Sequence, residues 1–353
     1  TRMPVVFHAR RLAIDGRSRA YVRIRTFAVS DPDAFVQEFI RLLGLLPQDG
    51  LLLDVRGNGG GHIFAAERLL QTLTPGPIEP ERLQFISTGG TLELCRRNRK
   101  PPIDLSSWVG SLEQAVLTGS TYSQALPITD PGSCNQIGQR YHGPVVLLID
   151  GRCYSATDIF AAGFQDHGIG PIVGTSPTTG AGGANVWGHD LLHLLYSGEG
   201  SPLRPLPHKM GMRIAIRQTL RVGPRAGTLL EDFGVAPEPD RIHRTTRRDL
   251  LESDADLLEF AAKLLAAQPI RRLELSETGR PDGRVEFQVD AQGISRLDFY
   301  LNGHPATSLS ITPGGPPPRF AVNPGTHVEL RGFALDAATS KERWVAALKQ
   351  AVA

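Results

Sequence analysis

The chain has 353 residues, 41% hydrophobic and 21% charged, an ordinary globular balance large enough for one big core and a smaller satellite domain. Its 38 Lys and Arg stand against 36 Asp and Glu, so net charge gives no electrostatic case for nucleic acid. No apolar run approaches the ~18 residues needed to span a bilayer. The chain opens at Thr1 with no basic stretch leading into an apolar one, so no signal peptide is expected and the compartment stays open.

The first element is a hairpin, with Ala20, Val22 and Ile24 alternating with Tyr21, Arg23 and Arg25 after an Asp15-Gly16 turn. Ser30 reads as the N-cap of a helix carrying Phe35, Val36, Phe39, Ile40 and Leu43 on one face. Residues 51–53, all Leu, form a short strand of the kind buried on both faces of a parallel sheet. It runs through Asp54-Val55-Arg56-Gly57-Asn58-Gly59-Gly60-Gly61 into a helix containing Ala65, Leu69 and Leu70. Residues 76–142 are polar and rich in Gly, Pro and Ser, and read as an irregular insertion. A second buried strand, Val145–Ile149, leads through a turn to a helix from Ala156 bearing Ile159, Phe160, Gly163 and Phe164. A third strand follows at 171–174, and this order argues for right-handed crossovers and a parallel sheet.

Farther on, Met212, Ile214, Ile216, Leu220 and Val222 alternate with Arg213, Arg217 and Arg221, which reads as a half-buried strand with a basic outer face. Residues 254–267 read as an amphipathic helix through Leu257, Phe260, Ala261 and Leu264. A boundary falls near Gln268-Pro269, giving a first domain over 1–267 and a small β-rich accessory domain over 270–353. Strands at 284–289, 297–301 and 327–333 suggest a β-sandwich-like unit, with a closing helix at 340–353. Cys95, Cys134 and Cys153 lack metal-ligand spacing; a Cys95–Cys134 bridge and free buried thiols are both open. No cofactor or metal motif is present.

Two segments can carry chemistry. Ser155 falls where a strand and a tight Gly151 turn feed the first turn of a helix, and there free backbone N–H groups favour negative charge. Such a serine can cap the helix, or it can be a nucleophile whose attack creates an oxyanion beside those amides. Gly59-Gly60-Gly61 follows a strand and opens another helix, so backbone N–H groups there can approach a phosphate or an oxyanion. The Lys-Ser/Thr of a nucleotide-binding loop is missing.

Taken together, these segments resemble the tail-specific (C-terminal-processing) serine peptidases. Residues 51–61 resemble the family's Asp-hydrophobic-Arg-x-Asn-x-Gly-Gly signature, and Ser155-Ala156-Thr157-Asp158 through Gln165-Asp166-His167-Gly168 resembles its nucleophile helix. Ile172-Val173-Gly174 and residues 231–237 resemble the strand and segment that follow, so the match runs over roughly 7–267 with all segments in order. The resemblance implies an α/β catalytic domain with a crotonase/Clp-protease-like core, and peptide-bond hydrolysis through an acyl-enzyme on Ser155. It also implies an oxyanion hole from the N–H groups of Ala156 and Gly61, with Gly60 the second choice.

One departure matters. The Lys base of the tail-specific branch stands in a Gly-Lys-Gly context, and Gly180 occupies that position here; no Lys occurs between Ser155 and Lys209. In lacking it the chain is similar to the tricorn-like branch, whose His base is supported by a Glu that Glu231 matches. Within the chain His62 adjoins the oxyanion glycines and is the candidate base, while His62 opening its helix is the plainer reading. His167 reads as a helix-end residue, Asp166 as structural, and His189, His193 and His208 as exposed. The expected partner is a peptide or unfolded protein, with self-association implied by analogy. Two other readings stand: a peptide-binding pseudo-peptidase that kept the groove and lost the base, and another hydrolase on the same scaffold.

Overall fold

The structure, a computed structural model, describes residues 1–14, 16–101, 103–127, 129–183, 186–198, 200–336 and 339–353. The central sheet runs in the order Phe7–Ile14, Arg17–Ile24, Leu51–Asp54, Val145–Ile149, Ile172–Gly174. Its first pair is an antiparallel hairpin and every later pair is parallel, so the fold is mixed α/β around a parallel sheet. Asp15 of the expected turn lies outside the described residues.

The unbroken apolar strands are explained by what covers them. Leu51, Leu53, Val145, Leu147 and Ile149 face a cluster built with the helices Pro32–Leu45, Ile63–Gln71 and Ala156–Asp166. Leu52, Val146 and Leu148 point the other way, onto Leu257, Leu258, Ala261 and Leu265 of the helix Ala255–Ala266. Both faces are covered, so alternation with polar residues disappears. Asp31, not Ser30, caps the first helix, accepting from the Ala34 N–H at 2.9 Å. Pro32 then takes the first turn, where its missing N–H costs nothing.

The stretch 76–142 is not irregular. It contains a strand, Arg82–Phe85, and the helices Gly89–Arg97 and Val109–Thr118. The first of these helices is closed by a Thr88/Thr91 capping box. Phe85, Leu94, Trp108 and Leu112 form a second cluster with Trp187, Leu192 and Tyr196 from beyond the helix Ala156–Asp166. These helices are short, and the glycines that open one of them read as breakers in the sequence. Their apolar face becomes evident only with partners a hundred residues away.

The phase expected at 212–222 holds only in part: Arg213 is exposed and Val222 buried as expected, and the residues between them depart from it. Strands form at Arg213–Ile214 and Arg217–Leu220, yet Met212 and Ile214 are 50% and 43% exposed while Arg217 and Arg221 are buried. The Arg217 guanidinium lies 4.5 Å over the Trp187 ring, and Arg221 pairs with Asp166 at 2.6 Å. Long-range partners make burial of these cations tolerable.

Beyond residue 270 two antiparallel sheets form. One orders Arg272–Gly279, Val285–Gln292 and Arg319–Val322; the other orders His304–Ser310, Arg296–Leu301, His327–Leu335 and Glu342–Ala351. Leu273, Phe287 and Val289 of the first share a cluster with Leu297, Phe299 and Leu330 of the second. The helix expected at 340–353 is instead the strand Glu342–Ala351, because pairing with His327–Leu335 outweighs the helical preference of its alanines. Cys95, Cys134 and Cys153 are free and buried, so the Cys95–Cys134 bridge is not made. Among the described residues no helix is long and apolar enough to cross a membrane.

Candidate active site

Two loops leave neighbouring parallel strands at the same end of the sheet and are tied together there. The Asp150 carboxylate accepts from the N–H groups of Gly57 (2.9 Å) and Arg152 (3.0 Å), and the Tyr154 N–H donates to the Asn58 carbonyl at 3.0 Å. Ser155 then opens the helix Ala156–Asp166 with φ 56° and ψ −120°. That backbone conformation is unfavourable for a residue with a Cβ and persists only where its surroundings impose it. Ser155 stands at the N-cap position, yet its hydroxyl makes no capping bond. The plain capping role is therefore unfilled.

Gly60 is pressed against this turn. A Cβ on it would lie 2.5 Å from the Tyr154 oxygen, 2.7 Å from the Ser155 Cβ and 2.9 Å from the Ala156 nitrogen. Its φ of +97° adds a second reason for glycine. The Gly60 N–H is already engaged, donating to Asn58 Oδ1 at 3.0 Å, while its carbonyl accepts from the Phe27 N–H. Among the described residues, the N–H groups of Gly61 and Ala156 have no hydrogen-bond acceptor.

Two residues that the sequence left without a role complete the setting. Asp158, one turn into the helix Ala156–Asp166, is buried and accepts from the N–H groups of Ala181 (3.1 Å) and Gly182 (3.0 Å). Burial raises its carboxyl pKa and these hydrogen bonds work against the rise. The Tyr154 ring lies on the same loop. A Cβ on Gly180 would come 2.1 Å from its Cδ2, and one on Gly182 would come 1.9 Å from its Cε1. Any side chain at 180, Lys included, would collide with that ring.

Glu231 lies in the first turn of the short helix Leu230–Phe233, with Oε1 accepting from the Thr219 N–H at 2.7 Å. The Thr219 hydroxyl donates in turn to the Gly183 carbonyl at 2.8 Å, so Glu231 braces the far end of the loop that Asp158 grips. Burial raises the Glu231 pKa, and its Oε2 has no hydrogen-bond partner among the described residues. No described hydrogen bond joins Glu231 to Ser155 or to a histidine.

His62 occupies the N-cap position of Ile63–Gln71, exposed, with a ring that caps nothing and an N–H that donates to the Phe27 carbonyl. Both ring nitrogens of His167 are engaged: Nε2 accepts from the Glu79 N–H at 2.9 Å and Nδ1 faces the Gly163 carbonyl at 2.8 Å. His208 is exposed, but His189 is buried and stacks on His193, which is half-buried. Asp166 holds Arg221 and, at 3.4 Å, Arg225. Among the described residues no group of three or more His, Cys, Asp or Glu could hold a metal ion.

Residues 18–189 match peptidase family S41. Two solved structures of mature CPAF resemble the chain. The one complexed with lactacystin has a TM-score of 0.53 at 17% identity, and the match covers 74% of this chain and 55% of that one. The other has a TM-score of 0.51 at 18% identity, with the same coverage of 74% and 55%. The chain thus spans about half the length of these structures, and the likeness is one of fold. No curated protein matches the chain.

Proposed function

Residues 18–189 match peptidase family S41, and from that premise we propose that the chain is a serine peptidase with Ser155 as nucleophile. The observation that carries this reading is the Ser155 turn: a strained backbone, a hydroxyl that caps nothing, and a glycine packed against its Cβ. Ser155 Oγ adds to the scissile carbonyl carbon as a base takes its proton. The C–N bond then breaks, the proton passes to the leaving amine, and water hydrolyses the acyl-enzyme. The N–H groups of Gly61 and Ala156 suit the oxyanion, because the Gly60 N–H is engaged by Asn58.

With position 180 closed by Tyr154, the base in this proposal is a His, supported by Glu231, and His62 is the candidate within the chain. The substrate is a peptide or unfolded protein lying extended along the glycine-rich loops. Helices packed on both faces of the parallel sheet support the crotonase/Clp-protease-like reading of residues 1–267. The shared cluster of the last two sheets supports a β-sandwich-like accessory domain over 270–353. Self-association of the chain belongs to the same proposal.

Labelling of the protein with a fluorophosphonate, with Ser155→Ala as control, tests it. Stoichiometric labelling that disappears in the variant is the expected result; an unlabelled wild-type protein overturns it. The second reading, a peptide-binding pseudo-peptidase, draws on one observation: no described hydrogen bond links a histidine to Ser155. Peptide binding without labelling would favour it.

A further inference from the structure

We infer that Tyr154 is the specificity-determining residue of the Ser155 site, its ring forming a platform on which an apolar side chain of an extended peptide rests. This deepens the nucleophile reading and rests on it. Four observations carry the inference.

The first is placement. Tyr154 directly precedes Ser155, and its backbone is pinned at both ends: its N–H donates to the Asn58 carbonyl and its carbonyl accepts from the Thr157 N–H, each at 3.0 Å. The ring therefore starts from a fixed point one residue from the nucleophile.

The second is support. Opposite edges of the ring meet the backbones of Gly180 and Gly182, so closely that neither position has room for a Cβ. That loop is itself held to the nucleophile helix by Asp158, through the N–H groups of Ala181 and Gly182. A platform already fixed before binding loses little freedom when a ligand arrives.

The third is what the ring lacks. Tyr154 is 49% exposed. Among the described residues its ring stacks on no aromatic, and its hydroxyl makes no hydrogen bond. An aromatic held firmly from below and open above, beside a reactive serine, has contact area to offer a ligand.

The fourth is its neighbour. Phe233 is 62% exposed, and the adjoining Gly234 packs on Thr179 and Ala181 of the same loop. A second exposed aromatic thus stands one residue from a glycine packed on this loop, which suits a Phe- or Leu-like side chain next to the scissile bond.

The test reads binding rather than turnover, so it does not depend on the base. Fluorescent decapeptides share one Gly/Ser background, with a single Phe, Lys or Gly placed in turn at each central position. Their binding to Ser155→Ala, to Tyr154→Ala/Ser155→Ala and to Tyr154→Phe/Ser155→Ala is followed by anisotropy. With Ser155→Ala, the best-placed Phe should bind about 10-fold tighter than Gly, the scale of one well-packed apolar contact. Tyr154→Ala should bring that ratio to within twofold of unity, and Tyr154→Phe should keep it. A purely structural role would weaken all peptides alike and leave the ratio intact, which overturns the inference. So does a Lys preference, which would make the ring a cation site, and so does the lack of any preference. Should Tyr154→Ala fail to fold, Tyr154→Gln fills the space over the glycines with a polar chain, and the same loss is expected. A Phe preference that depends on Tyr154, in a wild-type protein that no fluorophosphonate labels, would support the platform while the nucleophile reading fails.

Discussion

A few ångströms around Ser155 decide what its hydroxyl can do. Gly60→Ala would drive a Cβ into the Tyr154 carbonyl, the Ser155 Cβ and the Ala156 nitrogen, so the Ser155 turn must shift. A displacement near 1 Å in such a site costs about 10²-fold in rate. Fluorophosphonate labelling of Gly60→Ala should fall by at least that factor while the melting temperature of the protein drops only modestly. Asp158→Ala removes the acceptor for two backbone N–H groups that anchor the loop beneath Tyr154. It should destabilise by roughly 1–3 kcal/mol in denaturant titrations. Ser155 and the glycines were legible in the sequence because a forced backbone and a close approach leave residue-type signatures at the site itself. Asp158 and Tyr154 were not legible in that way. Their partners at 180–182 lie more than twenty residues along the chain, and nothing local announces the contact.

At the scale of elements, the helices Ile63–Gln71 and Ala156–Asp166, which follow the glycine run and Ser155, pack on each other, with Gly163 against Leu70. Behind that contact lies a buried pair of carboxylic acids. The Glu81 N–H donates to Glu67 Oε1 at 2.9 Å, and both Glu81 carboxylate oxygens and Glu67 Oε2 lack hydrogen-bond partners among the described residues. Burial pushes the Glu67 pKa up to about 7, and pushes Glu81 well up with further help from Asp166 and Glu67; Arg221 opposes the latter rise. An acid whose folded pKa is raised binds more protons folded than unfolded. Its stabilising contribution is therefore full at low pH and is lost as pH rises from about 4.5 towards 7. Glu67→Gln, which keeps the oxygen that accepts from the Glu81 N–H, should gain stability over the wild type across that interval, on the order of 3 kcal/mol by pH 8. Melting temperatures of the two proteins at pH 5 and pH 8 check this, and a constant difference would count against it.

At the scale of the molecule, the α/β core and the C-terminal sheets meet along a junction where the Ala347 N–H donates to Gln139 Oε1 at 2.9 Å. His142 lies at this junction, in crevices it shares with Glu274 and Leu348 on one side and Trp344 on the other. Burial lowers its pKa to about 4, Arg272 and Arg140 act in the same direction, and Glu274 opposes them. A base with a lowered folded pKa takes up its proton later than the unfolded chain does. Stability is therefore lost as pH falls from about 6.5 towards 4. His142→Gln should resist that loss, gaining on the wild type by about 1–3 kcal/mol between pH 7 and pH 5. The effect runs opposite to that of the Glu67/Glu81 pair, so each variant is compared with the wild type at every pH.

The sequence by itself determined the order of the core elements, the parallel sheet, the serine at a strand-to-helix turn and the glycines facing it. Periodicity and backbone-demanding residues act within a few positions and are written where they act. Only the tertiary structure decided the rest: a second cluster in place of an irregular insertion, and buried Arg217 and Arg221 where a basic surface was expected. It likewise decided the strand Glu342–Ala351 and the ring that closes position 180. Each of these turns on whether a polar or apolar group finds its partner far along the chain, and burial is settled by those partners rather than by local pattern.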